Sequence, residues 1–218
     1  MSSLLEVGLK KCGLPEENIK NLAEKMEAYI KEIILFNSAY NLTNTSDYDE
    51  LVIRHILDSL STYQIINNLI KESGKEEIFI GDIGSGGGLP GIPLAAAFPQ
   101  VNFNLVERMS KRCAFLENCS AILNLKNLKV TESEAEKIPE ESFDFITFRA
   151  FRPLDKKMIK TLLRITKSGG FLCAYKARLE NIKEEMSEIS NIVPEYQVKK
   201  LFVPGLEDSE RNLVLIKK

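Results

Sequence analysis

Along the first seventy residues the apolar positions recur at three- and four-residue steps. From Pro15 to Tyr40, Ile19, Leu22, Met26, Tyr29, Ile30 and Ile33 share one face of a helix, and Pro15-Glu16-Glu17 suits its first turn. A polar loop, NLTNTSD, follows, and DELVIRHILDSLSTYQIINNLI predicts one or two further helices. After Lys75 the pattern changes to short apolar or alternating runs: EIFIGDI, VNFNLVE, LKV, FDFITF, FLCAY and NLVLIK. Between the first five lie helix-like stretches, PGIPLAAAF, SKRCAFLENCSAIL and PLDKKMIKTLLRI. Strands alternating with helices require crossover connections and hence a largely parallel sheet covered on both faces. The tail, VPEYQVKKLFV then RNLVLIKK, predicts an antiparallel pair at a sheet edge. The expected fold class is α/β, with a helical cap at 1–73 and a Rossmann-like domain at 74–218.

Composition narrows the class without deciding it. Apolar residues make up 44% of the 218 and the formal net charge is -2, so the whole-molecule field favours neither nucleic acid nor an anionic membrane. Four cysteines, Cys12, Cys113, Cys119 and Cys173, form no CxxC pair and are expected to be reduced. With no long apolar segment, the expectation is a cytoplasmic, monomeric protein without membrane attachment.

The stretch GDIGSGGGLPG at 81–91 concentrates six of the twelve glycines between a strand and a helix. That is where open parallel sheets bind ligands. A P-loop needs Gly-Lys-Ser/Thr, whereas Leu-Pro-Gly stands here. Gly86, Gly88 and Gly91 satisfy GxGxxG, which keeps a dinucleotide open; a turn serving only strand–helix packing is the plain alternative. Asp82, beneath the loop, would repel a pyrophosphate and suit an ammonium group. Glu107, ending the next strand, can accept ribose hydroxyls. Ribose hydroxyls, an ammonium and no phosphate describe S-adenosylmethionine. Ala135 and Glu136, after the third strand, could face the adenine or simply form an acidic turn.

Methyl transfer needs an acceptor lone pair held at about 3 to 3.5 Å in line with the carbon–sulfur bond. The segment FDFITFRAFRP has neither an Asn/Asp-Pro-Pro-Tyr/Phe pattern nor a Pro-Cys nucleophile, and presents Arg149 instead. An arginine there could contact guanine O6 or a phosphate, or pair with Asp82 or a loop carboxylate. Nine cations (Arg149, Arg152, Lys156, Lys157, Lys160, Arg164, Lys167, Lys176, Arg178) against Asp155 alone leave 9 − 1 = +8 over 149–178, either a track for a phosphate backbone or a solvated helix face. His55 is the sole histidine, which argues against a multi-histidine metal site, and no metal is expected. Asp58 follows it by about one turn and could orient the imidazole.

The runs AYNLT (39–43), RHILDS (54–59), DIGSGGGLPGIPLA (82–95), FRAF (148–151), AYK (174–176) and ERNLVLIKK (210–218) together closely resemble the bacterial 16S ribosomal RNA guanine-N7 methyltransferase family, also called glucose-inhibited division protein B. The resemblance implies a seven-stranded, mostly parallel class I S-adenosylmethionine-dependent methyltransferase fold with an N-terminal helical extension. Its implied substrate is one guanine N7 of 16S rRNA, in the RNA or a small-subunit precursor. Cofactor contacts carried over are Gly84, Leu89, Ala135, Glu136 and Arg149, beside Asp82, Gly86 and Glu107 read above. Asn41, Arg54, His55, Lys176 and Arg211 match polar positions implied to shape the RNA and guanine pocket. Arg149 is expected to hold cofactor and target together, with no side chain assigned as acid or base. The alternatives are a small-molecule methyltransferase and a non-catalytic adenosyl-ligand-binding module.

Overall fold

The computed structural model describes residues 3–149 and 154–218. Strands β1 (Phe79–Ile83), β2 (Asn102–Glu107), β3 (Leu128–Glu132), β4 (Phe143–Arg149), β5 (Thr166–Lys176), β6 (Gln197–Lys200) and β7 (Asn212–Lys217) form one sheet in the order β3-β2-β1-β4-β5-β7-β6. The first five run parallel; β7 is antiparallel to both β5 and β6. The chain order reverses between β1 and β4, so the ligand crevice of such a sheet lies at their carboxyl ends.

The central parallel strands β1, β2 and β4 are buried on both faces, whereas the edge strand β3 is only partly covered. On β2, Leu105 packs with one apolar cluster and Val106 with the other; on β4, Phe145 and Ile146 divide in the same way. The second face is covered by α8 (Lys156–Ile165) and α9 (Leu179–Glu188), through Ile159, Leu162, Ile182 and Met186. The first is covered by α6 (Gly91–Ala97) and α7 (Ser110–Ile122), joined there by the N-terminal helices.

Those are α1 (Leu4–Lys11), α2 (Glu16–Tyr40), α3 (Tyr48–Leu51), α4 (Asp58–Leu60) and α5 (Tyr63–Ser73). Every residue of the predicted α2 face, from Ile19 to Ile33, is buried, and α2 ends at Asn41 in the left-handed region (φ 49°). Leu5, Met26, Ile30 and Ile56 belong to the same cluster as Leu94, Phe115 and Ile80, so cap and sheet share one core. Val52–Leu57, between α3 and α4, winds as a π-helix, a feature that apolar spacing did not predict. Helix α9 is a second element not read from the sequence.

Candidate functional site

The glycine loop is drawn tight from three directions. Gly84 N donates to Val106 O on β2 (2.8 Å), and Gly84, Gly86 and Gly88 have φ of 69°, 57° and 89°, values that L side chains rarely adopt. Beneath the loop, Asp82 is fully buried: its Oδ2 accepts from Gly91 N (3.2 Å) and its Oδ1 from Thr147 Oγ1 on β4 (3.0 Å). A Cβ on Gly91 would lie 2.7 Å from that Oδ2. Above it, the Tyr29 hydroxyl of α2 donates to Gly87 O. Burial raises Asp82 to about 6, partly opposed by its Thr147, Ser85 and Gly91 hydrogen bonds and by the field of Arg149.

Beside the loop lies a cavity of about 570 Å³, lined among others by Gly84, Glu107, Met109, Arg112, Ala135, Glu136 and Lys157. Glu107 ties down the turn that leads into α7: Oε1 accepts from Arg108 N (2.9 Å) and Met109 N (3.0 Å), while Oε2 accepts from Gly86 N (3.0 Å). A carboxylate oxygen takes about two donors, so Oε2 retains room for a hydroxyl. The opposite wall is the 3-10 turn Ala135–Lys137, whose carbonyls at Glu136 and Ile138 are held by Arg164 Nη2 at 3.0 and 2.8 Å.

A second cavity, of about 980 Å³, opens across β4. Arg54, His55, Asp58, Arg149, Lys176, Arg178 and Arg211 line it. The Arg149 guanidinium donates through Nη1 to Asp58 Oδ2 (2.9 Å) and to Arg54 O (3.1 Å), and through Nη2 to His55 Nδ1 (3.0 Å). Asp58 also faces Arg211 Nε at 3.3 Å. The π-helix makes room for this arrangement. Asp58 N–H bonds Ile53 and His55 carbonyls in place of its α-helical partner Arg54 O, which accepts from Arg149. Tyr175 OH fastens the segment to β5 through Ser59 O (2.9 Å).

These contacts bear on three of the readings above. Asp58 does not orient the imidazole: its oxygens face two arginines, and π winding takes residues 55 and 58 out of the α-helical stack. Arg149 pairs with Asp58 on the cap rather than with Asp82. Part of the +8 segment is tied down, while Lys156, Lys157, Lys160 and Arg178 are exposed. Lys167 is paired to Asp144 (2.9 Å), Lys176 to Glu185 (2.7 Å), Lys157 to Glu136 (3.7 Å), and Arg164 holds carbonyls. Arg152 lies outside the described residues, as does Phe151 of the FRAF run.

His55 is driven to about 4 by burial first, then by Arg149 and Arg54, so its ring is neutral at pH 7. An arginine only donates, so Nδ1 accepts and the ring proton sits on Nε2, which is shielded from water and has no partner among the described residues. An unmet buried donor costs about 1–3 kcal/mol.

The predicted residues therefore divide between two sites. Gly84, Glu107, Ala135 and Glu136 line the first cavity; Arg54, His55, Lys176, Arg211 and Arg149 line the second. Asp82, Gly86 and Leu89 line neither, and Asp82 and Gly86 support the loop from behind. Asn41 is exposed, and its carbonyl accepts from Arg112 Nη2 (3.3 Å) at the first cavity rather than lining the second. Sequence reasoning missed Arg112 and Met109, and gave Asp58 a different partner. Arg112 and Met109 could have been found from their place just after the strand-ending Glu107.

The family comparison matches this geometry. Residues 22–214 fit the model of GidB, described as rRNA small subunit methyltransferase G. The chain belongs to this family. It is 39% identical to ribosomal RNA small subunit methyltransferase G of Treponema denticola, with 100% of this chain and 94% of the relative aligned. The protein of the same name from Hydrogenovibrio crunogenus is 36% identical over 98% of this chain and 93% of its own. Among solved structures, a SAM-dependent methyltransferase from Aquifex aeolicus superposes with a TM-score of 0.54 at 18% identity, covering 79% of this chain and 94% of that one. Precorrin-6y C5,15-methyltransferase from Geobacter metallireducens superposes at 0.51 with 15% identity, over 71% and 88%. The fold is the class I, Rossmann-like methyltransferase fold, and the family's cofactor is S-adenosyl-L-methionine.

The first cavity fits that cofactor. It offers a free acceptor site on Glu107, a left-handed glycine that leaves the wall bare, and acids (Glu107, Glu134, Glu136) balancing cations (Arg108, Arg112, Lys157), as suits a ligand without phosphates. Among the described residues no group of three or more metal-ligating side chains occurs, and no helix is long and apolar enough to cross a membrane.

Proposed function

We propose that this protein methylates N7 of a guanine in 16S small-subunit ribosomal RNA. Glu107, Gly84, Ala135 and Glu136 would hold the cofactor in the first cavity, and the second would receive the flipped guanine. S-adenosyl-L-methionine supplies an electrophilic methyl group on a sulfonium.

The observation that carries the reading is the state of the second cavity's titratable groups. The lone pair of His55 Nδ1 faces Arg149 at 3.0 Å, and the Asp58 carboxylate faces Arg149 and Arg211. The Nδ1 lone pair is thereby occupied, and Arg149 presents a held guanidinium at the centre of the cavity. Such a site suits an acceptor whose lone pair is already free, as guanine N7 is, and supplies placement rather than proton transfer. Arg149, fixed between Asp58, His55 and the cap backbone, is the rigid centre of that placement. Arg178, for which no ion pair is found among the described residues, and Arg54, exposed and only loosely paired to Glu50 (3.6 Å), are suited to neighbouring phosphates.

The test is incubation with methyl-labelled cofactor and small-subunit rRNA lacking the modification, followed by cleavage chemistry selective for N7-methylguanine. One labelled guanine at N7 is expected, with binding that weakens steeply as salt rises. Label on another atom, or turnover only with small metabolites, would reject the proposal.

A further inference from the structure

Building on that reading, we infer that Glu185 on α9 reads the target guanine in the second cavity. Its carboxylate accepts N1–H of the base, beside a Lys176 ammonium that donates to O6. Glu185 lines the cavity, and its partners leave one position on it open. Oε1 accepts from Leu154 N and from Lys176 Nζ (2.8 Å), which fills it. Among the described residues Oε2 has Lys176 Nζ alone, at 2.7 Å. The Glu185 side chain keeps 17% of its surface open and that of Lys176 19%, so the pair is held in place yet reachable. A carboxylate repels the phosphates of RNA; what it suits is the part of a nucleotide that donates, the edge of the base.

The strand order selects the edge. Gly84, Glu107 and Ala135 follow β1, β2 and β3, so the cofactor cavity lies over that half of the sheet. Beyond it come Arg149 at the end of β4, Lys176 at the end of β5 and Glu185 on the helix after β5. A guanine that turns N7 toward the methyl group extends O6, and then N1–H, in that same direction. Lys176 and Glu185 meet this acceptor and donor with a donor and an acceptor. Adenine carries an amino group and a bare nitrogen at those places, and both contacts would oppose. A carboxamide could turn over to suit either base, whereas an ion pair cannot. As N7 takes up the methyl group the ring gains positive charge, so a carboxylate against N1–H binds more strongly in the transition state than before it.

The experiment measures kcat/KM on small-subunit rRNA carrying guanine, inosine or 2-aminopurine at the target position. Inosine keeps O6 and N1–H and lacks the 2-amino group; 2-aminopurine keeps N7 and the amino group and lacks both O6 and N1–H. The wild-type protein should use guanine and inosine about equally and discriminate against 2-aminopurine. Glu185→Gln keeps the side-chain length and an acceptor for Leu154 N. It should narrow the guanine to 2-aminopurine ratio by about tenfold or more, about 1.4 kcal/mol, and leave the guanine to inosine ratio as it was. Glu185→Asp, whose carboxylate is withdrawn by one methylene, should narrow the first ratio too, and serves if the amide variant does not fold. A change confined to the inosine ratio would place the contact at the 2-amino group and overturn the inference. Two unchanged ratios would reduce Glu185 to a tie between α9 and β5 and overturn it equally. A wild-type protein that methylates no guanine would instead sink the proposed function.

Discussion

Asp82 and His55 are both displaced from their ordinary ionisation, in opposite senses and for the same reason. Burial disfavours charge, which raises a carboxyl and lowers an imidazole. For His55, the folded value of about 4 lies below the unfolded one, so stability present above about 6.5 declines as pH falls towards 4. For Asp82 the folded value of about 6 lies above the ordinary carboxyl value of 3.8, so its contribution is complete below 3.8 and is lost as pH rises through 6. At neutral pH the ionised Asp82 is thus a strain on the fold. Asp82→Asn should gain stability relative to wild type as pH rises from 4 to 7, by up to about 3 kcal/mol, while losing cofactor affinity as the loop support changes. Denaturant titrations at pH 4 and pH 7 check this; a stability difference that does not depend on pH would contradict the buried-carboxylate account.

Among elements, the glycine loop shows how backbone shape becomes a binding wall. At Gly84, φ is 69° and the residue lines the cofactor cavity. Gly84→Val would place a branched side chain both in a disfavoured conformation, at about 1–3 kcal/mol, and in the space of the ligand. Calorimetry should show cofactor affinity reduced by well over tenfold, and unaltered affinity would remove Gly84 from the site. This loop was legible because glycine density, strand and helix all declare themselves locally. So were the strands: EIFIGDI, VNFNLVE and NLVLIK alternate or run apolar as sheet positions must. Helix α9 was not legible, since LENIKEEMSE buries only Ile182 and Met186 and is otherwise a charged face. The π-helix was hidden for a different reason. Apolar spacing reports which face is buried, not which carbonyl an amide selects, and the shift at Asp58 answers to Arg149, 91 residues away. Glu107 and Ala135 were found as strand ends, but the Arg149 partners were not, because nothing local in the sequence records a contact between the cap and β4.

At the level of the whole molecule, the cap is part of the methyltransferase rather than an attachment to it. Leu5, Met26, Ile30 and Ile33 share a cluster with Leu94, Leu105 and Phe115, and Asp58 and His55 come from the same helical region. Both cavities therefore depend on N-terminal helices for their walls or supports. One contact makes the dependence measurable: the Tyr29 hydroxyl resting on Gly87 O, at the loop that borders the cofactor. A ligand that binds only the closed loop stabilises it by mass action, by about 2.7 kcal/mol at a hundredfold excess over Kd, and the loop passes that gain to whatever it is bonded to. Amide exchange in the middle of α2 should slow when S-adenosyl-L-methionine is added, although that helix does not line the cofactor cavity, and Tyr29→Phe should weaken the effect. Through a single phenol, occupancy at the carboxyl end of β1 becomes rigidity in the helix laid over the loop, so the N-terminal helices would be firmest in enzyme molecules already charged with a methyl group.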